Sequence, residues 1–418
     1  MLLFYHIFRY LFLLGVRIAS LRNTKAKQWL AGRKNWKEQL VAGQNTSPHQ
    51  KVVWMHCASL GEFEQGRPIL EAVRKSYPHT KLILTFFSPS GYEAQKDYQG
   101  VDQVMYLPFD GAKNAQDFIQ LVQPTLAIFV KYEFWYFYLT TLKQHQIPVI
   151  LVSGLFRKSQ PFFQWWGDFH RKMLESFSFF FVQDENSFEL LQKTGIDTHV
   201  VVSGDTRFDR VYEIAQEKTS LDFAENFCTE KTLIAGSTWP EDEALLKEWH
   251  QQQPEWKLMI VPHEISVSHI SHLKKLFPAA VCLSEINTSD AHTENKVMIV
   301  DKMGLLSRLY RYATLCYIGG GLKKSGHHNI LEAAVYGKAV VTGPYIYKFS
   351  ESIALRQRKG SFVIRNGKEL SAITSEKELY TKAGEKAGAF VNMSLGATHK
   401  IMQWIVTAGL IKKESSEK

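Results

Sequence analysis

Fourteen short apolar runs, separated by stretches of helical character, constrain this chain more than any other feature. Seven lie at 52–55, 82–86, 103–107, 126–130, 149–152, 177–182 and 200–202. Seven more lie at 233–235, 258–261, 280–283, 297–300, 315–318, 339–342 and 362–364. Stretches such as 65–75 and 137–145 between them have helix length. Strands of this size alternating with helices predict an α/β chain with parallel, doubly wound sheets. The two sets predict two Rossmann-like domains of similar size, as expected for 418 residues. Two such domains would face a central cleft, with ligands at the carboxyl ends of the strands. The expected division is an apolar helix at 1–22, a first domain at 23–208 and a polar, partly helical linker at 209–231. A second domain follows at 232–385, then a C-terminal helix and tail at 386–418. The helix-like run 382–405 could pack on either domain, and 412–418 reads as a polar, frayed tail.

The net charge of +9 would suggest a nucleic-acid partner if it were spread over the chain. It is not spread. Residues 1–37 contain eight Lys or Arg and no Asp or Glu, so the other 381 residues hold 42 basic and 41 acidic side chains. The excess belongs to the N-terminus, which argues for an anionic membrane surface and against nucleic acid. Residues 1–21 are apolar and aromatic, and as a helix would be about 31 Å long. Arg9, near the middle, would cost a spanning helix roughly 2.5–3.5 kcal/mol. Arg17 and the basic residues that follow stay cytoplasmic by the positive-inside rule. The segment therefore predicts an N-terminal membrane-anchor helix, spanning or lying in the interface. The alternative is an amphipathic helix packed on the protein's own body. Cys57, Cys228, Cys282 and Cys316 have neither metal-knuckle nor redox-pair spacing and read as reduced thiols.

Chemistry-bearing residues collect just after the apolar runs. After 315–318 comes Gly319-Gly320-Gly321, then Gly326-His327-His328-Asn329-Ile330-Leu331-Glu332. A glycine-rich turn before a helix start lets backbone N–H groups approach an anion, and Glu332 could accept from a ribose diol. After 52–55 comes His56-Cys57-Ala58-Ser59-Leu60-Gly61-Glu62. Glu62 could take a proton from an acceptor hydroxyl, or Ser59 and Glu62 could form a helix capping box. Gly236, Ser237 and Thr238 could meet a phosphate, or Thr238 and Glu241 could form another capping box ahead of the helix that begins near Pro240. His263, after Pro262, could hydrogen-bond a phosphate or base. The backbone of Met303 and Gly304 could contact a nucleobase. Glu133, among Tyr132, Phe134 and Trp135, resembles a sugar-binding rim. Arg207 could offset negative charge on a donor. Each also has a purely structural reading as loop, cap or surface. No P-loop, His-Glu-x-x-His or nucleophile-elbow pattern is present.

Ala58-Ser59-Leu60-Gly61-Glu62, Glu133-Phe134-Trp135, Gly204-Asp205-Thr206-Arg207-Phe208-Asp209, Ala235-Gly236-Ser237-Thr238-Trp239 and Gly326-His327-His328-Asn329-Ile330-Leu331-Glu332 occur in this order. As an ordered set they resemble the 3-deoxy-D-manno-octulosonic acid (Kdo) transferases of Gram-negative bacteria, over nearly the whole chain. The resemblance implies a GT-B fold and an inverting, metal-independent glycosyltransferase with no cofactor. It implies transfer of Kdo from CMP-Kdo to a lipid A precursor, lipid IVA, in lipopolysaccharide biosynthesis at the cytoplasmic side of the inner membrane. By the same resemblance Glu62 is the general base, and Glu133 and Arg207 assist the transition state. Pro262, His263, Met303, Gly304, Leu305, Asn329, Ile330, Leu331 and Glu332 bind CMP. Three positions depart from the family pattern. Many members have Pro-Arg-His, Met-Gly-Glu and Gly-Gly-His-Asn where this chain has Pro262-His263-Glu264, Met303-Gly304-Leu305 and Gly326-His327-His328-Asn329.

Overall fold

The structure, a computed structural model, describes residues 1–43, 50–196, 199–228, 231–286 and 295–411. The expected tail at 412–418 lies outside them. The chain divides into two compact units. The first is residues 1–209 together with the stretch from Gly396, and the second is Arg210–Leu395.

Every apolar run holds a strand. The first unit contains β1 (Val52–Cys57), β2 (Lys81–Phe86), β3 (Gln103–Tyr106), β4 (Leu126–Val130), β5 (Val149–Gly154), β6 (Phe179–Val182) and β7 (Val200–Val202). All pairings are parallel, in the order β3-β2-β1-β4-β5-β6-β7. Period two splits the side chains of β1 between two cores. Trp54 packs with Phe118, Phe129, Tyr138 and Leu142 on one face. Val53 and Met55 pack with Phe63, Leu84 and Ile128 on the other. Both faces are covered, so these strands read as continuous apolar runs.

The second unit repeats the plan with β8 (Thr232–Thr238), β9 (Lys257–Pro262), β10 (Val281–Cys282), β11 (Val297–Ile299), β12 (Leu315–Ile318), β13 (Ala339–Thr342) and β14 (Ser361–Val363). Their order is β10-β11-β9-β8-β12-β13-β14, again parallel throughout. In each sheet the first strand lies between its successor and a later strand. The strand order reverses at β1/β4 and at β8/β12, the places where doubly wound sheets bind ligands.

The stretch expected as a linker is largely helical. The helix Arg207–Gln216 runs from the first unit into the second, and Asp222–Phe227 follows, burying Ala224 and Phe227. The C-terminal run is two helices. Lys377–Met393 belongs to the second unit and Ala397–Thr407 to the first. They part at Gly396, whose φ of +106° suits glycine. The Asp209 carboxylate accepts from the N–H groups of Gly396 (2.7 Å) and Thr398 (2.6 Å), filling donors that a helix start leaves open. Ile401 and Ile405 then enter the core beside β1.

The N-terminal helix, Leu2–Ala19, is long and apolar enough to cross a membrane by length and composition. One side lies against the first unit. Tyr5 donates to Asp110 (2.5 Å), and Phe12 stacks on Phe109. Arg9 lies on the protein side, its guanidinium 5.0 Å from the centre of the Phe137 ring. The other side leaves Leu3, Phe4, Ile7, Phe8, Leu11 and Ile18 exposed.

Candidate active site

In the first unit the expected residues gather where the strand order reverses. Glu62 lies in the first turn of the helix Leu60–Ser76, which follows β1. Glu133 follows β4, the neighbour of β1. The capping-box alternative does not form as expected. Ser59 makes no side-chain cap, and Glu62 reaches back to accept from the N–H of Ala58. Burial pushes Glu62 up to about 8, and the Glu133 carboxylate adds to this; the Ala58 N–H, the Lys131 ammonium and the Ser59 N–H oppose it. A carboxylate so poised can hold and release a proton near neutral pH.

Glu133 is buried and held by a network that begins in the sheet. The indole of Trp54 donates to the Thr85 hydroxyl (2.8 Å). His56 Nδ1 faces the Thr85 carbonyl (3.1 Å) and hydroxyl (2.9 Å). Its Nε2 meets Glu133 Oε2 at 3.0 Å, and the Trp135 indole donates to the same oxygen (2.6 Å). The Thr85 carbonyl only accepts, so Nδ1 carries a hydrogen. The Trp135 indole also lies 3.2 Å from His56 Nε2, so imidazole, carboxylate and indole form one buried cluster.

Arg207 follows β7 at the sheet's edge, away from the reversal. Asp205 ties it to the centre. Arg207 donates to Asp205 through Nε (3.0 Å) and Nη2 (2.7 Å), while Gln65 of the helix Leu60–Ser76 donates to the same carboxylate (3.0 Å). Burial opposes ionisation of Asp205, but Arg207 and Lys131 outweigh it and lower its pKa. Lys131 itself sits at φ +65°, in the left-handed region that non-glycine residues seldom adopt.

In the second unit Gly236-Ser237-Thr238 ends β8, Pro262 ends β9 and Gly319-Gly320-Gly321 follows β12, on three adjacent strands. A Cβ on Gly319 would come within 2.3 Å of the Ser237 carbonyl, and one on Gly321 within 2.4 Å of the Thr342 hydroxyl. Asp242 fixes this turn, accepting from Gly320 N–H (2.8 Å), Trp239 N–H (2.9 Å) and Tyr317 hydroxyl (2.7 Å). The Thr238–Glu241 capping box is displaced by one residue. The helix Pro240–Gln252 starts after Trp239, capped by Asp242, and the Thr238 hydroxyl turns to buried Glu243 (3.0 Å).

His263 uses its backbone N–H on the Thr238 carbonyl (3.0 Å). Its ring lies between Trp239 and His328, with ring centres 4.7 and 4.3 Å away. The Trp239 indole donates to His328 Nε2 (3.2 Å). Burial, with His263 and His327 nearby, pushes His328 down to about 4. Asn329 accepts from Leu331 N–H and donates to Glu332 (3.2 Å). The helix after this motif spans only Leu331–Ala334, shorter than the sequence suggests, because the chain turns at Gly337 into β13. Ile330 and Leu331 are buried. Met303 is exposed, Leu305 is half-buried, and Gly304 adopts φ +82°.

The family model for 3-deoxy-D-manno-octulosonic-acid transferase (kdotransferase) matches residues 34–210. The chain is 27% identical over 361 residues to the 3-deoxy-D-manno-octulosonic acid transferase of Haemophilus influenzae, covering 82% of this chain and 81% of that one. To the enzyme of the same name from Aquifex aeolicus it is 26% identical, covering 76% and 84%. The matched model and these relatives support the Kdo transferase family for this chain. It is a glycosyltransferase. A Fusobacterium nucleatum bifunctional glycosyltransferase/methyltransferase is 24% identical over 88% of this chain, which spans only 57% of that protein's length. Among solved structures, UDP-GlcNAc 2-epimerase from Neisseria meningitidis matches with TM-score 0.57 at 14% identity, covering 86% of this chain and all of that one. Acinetobacter baumannii MurG matches with TM-score 0.51 at 12% identity, covering 86% and 99%. These likenesses show the fold, which is GT-B.

Against the Kdo transferase pattern, the sequence pointed to Glu62, Glu133 and Arg207 and gave no role to the residues that hold them. His56, Gln65, Lys131 and Asp205 are polar residues next to, or inside, the motifs already quoted. In the second unit Trp239, Asp242 and His328 were similarly passed over. Polar residues inside or near the stretches that follow the strands were the available signal. Which of them face one another depends on the sheet order.

Proposed function

We propose that the protein transfers Kdo from CMP-Kdo to a lipid A precursor, lipid IVA, with inversion and without a metal or cofactor. The first unit takes the acceptor and the second takes the CMP moiety. The observation that carries this reading is Glu62, poised near 8 at the strand reversal of the first sheet with Glu133 beside it. The Glu62 carboxylate removes the proton from an acceptor sugar hydroxyl. The oxygen forms a bond to the anomeric carbon of Kdo as the bond from that carbon to the CMP phosphate oxygen breaks, and CMP leaves with the electron pair. Lys131 and the Arg207–Asp205 pair set the field around the base. In the second unit the close-packed turns at Gly236–Thr238 and Gly319–Gly321 suit a phosphate. Pro262, His263, Met303, Gly304 and Leu305 are assigned to the cytidine and phosphate of CMP, and Asn329 to Glu332 to its ribose, following the family motifs.

The exposed apolar side of Leu2–Ala19 and the basic residues at 9–37 support a working position on the cytoplasmic face of the inner membrane, where a lipid acceptor would be met. With Arg9 turned onto protein rings, the helix lies in the interface in preference to spanning it. The test is mass-spectrometric detection of Kdo transfer to lipid IVA, with Glu62→Gln alongside. Transfer by the wild type and none by a folded, CMP-binding Glu62→Gln supports the reading. An inert wild type that also ignores CMP overturns it.

A further inference from the structure

The first unit carries a second exposed apolar feature, more than 140 residues from the N-terminal helix in sequence. Trp165 is 89% exposed and Trp166 43%. They lie between the short turn Pro161–Phe163 and the helix Asp168–Leu174. The segment is built, not slack. Arg171 Nη1 donates to the carbonyls of Phe162 (3.0 Å) and Gln164 (2.9 Å), and Gln164 donates to the Lys158 carbonyl (2.7 Å). A Cβ on Gly167 would lie 1.9 Å from the Pro161 carbonyl, so the backbone closes tightly there. Phe162 is buried beneath. A loop that fixes its backbone this firmly, buries one aromatic ring and turns two tryptophans outward presents amphipathic rings of the kind found at bilayer headgroup level.

Charge and position point to the same partner. Residues 157–172 contain Arg157, Lys158, Arg171 and Lys172 against Asp168, a balance of 4 − 1 = +3. Asp168 is taken up by Arg171, which leaves Arg157, Lys158 and Lys172 exposed beside the tryptophans. Ring contacts connect the loop to the N-terminal helix. Tyr5 lies 5.7 Å from Phe169, Phe169 lies 5.5 Å from His170, and His170 lies 6.0 Å from Trp166. The loop therefore adjoins the first turns of that helix, where Leu3, Phe4, Ile7 and Phe8 are exposed.

We propose that the Trp165-Trp166 loop is a second lipid contact, seating two indoles in the headgroup layer of an anionic bilayer with Arg157, Lys158 and Lys172 on its phosphates. This rests on the membrane reading of the N-terminal helix. A helix lying in the interface defines a line, and the loop adds a point off that line. Together they fix the plane of the bilayer relative to Glu62, so a membrane-held acceptor meets the base in one orientation.

The experiment uses the full chain with vesicles of phosphatidylethanolamine and phosphatidylglycerol. Vesicle flotation is measured for the wild type, for Trp165→Ala/Trp166→Ala, and for Phe4→Ser/Phe8→Ser. Kdo transfer is measured with the acceptor in vesicles and dispersed in detergent. The tryptophan variant should bind vesicles about tenfold more weakly and lose transfer to vesicle-held acceptor in proportion. It should keep wild-type transfer to dispersed acceptor, which also verifies its fold. Wild-type binding and transfer by the tryptophan variant, with the helix variant impaired, overturns the loop proposal and leaves the proposed function standing. Failure of the wild type to bind vesicles removes the membrane reading and the loop proposal with it. Failure of the wild type to transfer Kdo in either setting removes the proposed function.

Discussion

At the residue scale the proposed chemistry turns on burying carboxylates where each is answered differently. Glu62 is pushed up to about 8 chiefly by burial, Asp205 is held low by Arg207 and Lys131, and Glu133 is met by His56 and the Trp135 indole. Glu62→Gln should lower transfer by about 10²–10⁴-fold, the usual worth of a general base, with CMP binding retained. Transfer by the wild type should rise with pH towards about 8 as Glu62 ionises. Stability runs the other way. Because the folded pKa lies above the ordinary carboxyl value, the folded state holds the extra proton. That contribution is present below about 4.5 and is lost as pH rises through about 8. Glu62→Gln should therefore melt a few degrees above the wild type at pH 9 and close to it at pH 5, read by calorimetry. His56→Ala would leave Glu133 with the Trp135 indole but without the imidazole. It should cost about 1–3 kcal/mol, measured by urea unfolding, as losing one partner of a buried polar group does.

At the element scale the strand-end turns are set by backbone approach. The turn after β12 lies so close to β8 and β13 that side chains are excluded at Gly319 and Gly321. Gly321→Ala forces its Cβ onto the Thr342 hydroxyl and the Gly343 backbone, and overpacking of this kind costs about 1–3 kcal/mol. The variant should fold, and stabilisation by added CMP in a thermal-shift assay should fall about tenfold in apparent affinity. The glycines were visible in the sequence. Their reason was not, since the neighbours that exclude a side chain come from residues 237, 342 and 343. The capping signals show the same limit. Thr238–Glu241 and Trp239–Asp242 are both plausible spacings. Asp242 prevails because Gly320 and Tyr317, some 75 residues on, also need its carboxylate.

At the scale of the whole molecule, the chain's end completes the unit in which the chain begins. Asp209 caps the helix Ala397–Thr407, and Ile401 and Ile405 fill the core against β1. Ending the chain at residue 395 should uncover these contacts and destabilise the first unit by about 4–10 kcal/mol for the two isoleucines. Soluble yield and the melting temperature would report it. Asp209→Ala should cost about 1 kcal/mol through the cap alone. All fourteen strands, both sheets and the apolar, basic N-terminus were legible in the sequence, because period, charge and length are local properties. The ordered motifs also marked Glu62, Glu133 and Arg207. Other features needed the tertiary structure: the His56–Glu133 contact, the Gln65–Asp205 hydrogen bond, the stacked rings of Trp239, His263 and His328, and the return of the last helix to the first unit. Each is a contact between residues far apart in sequence. Their meeting is decided by the order in which parallel strands pair, and local periodicity carries no record of that order.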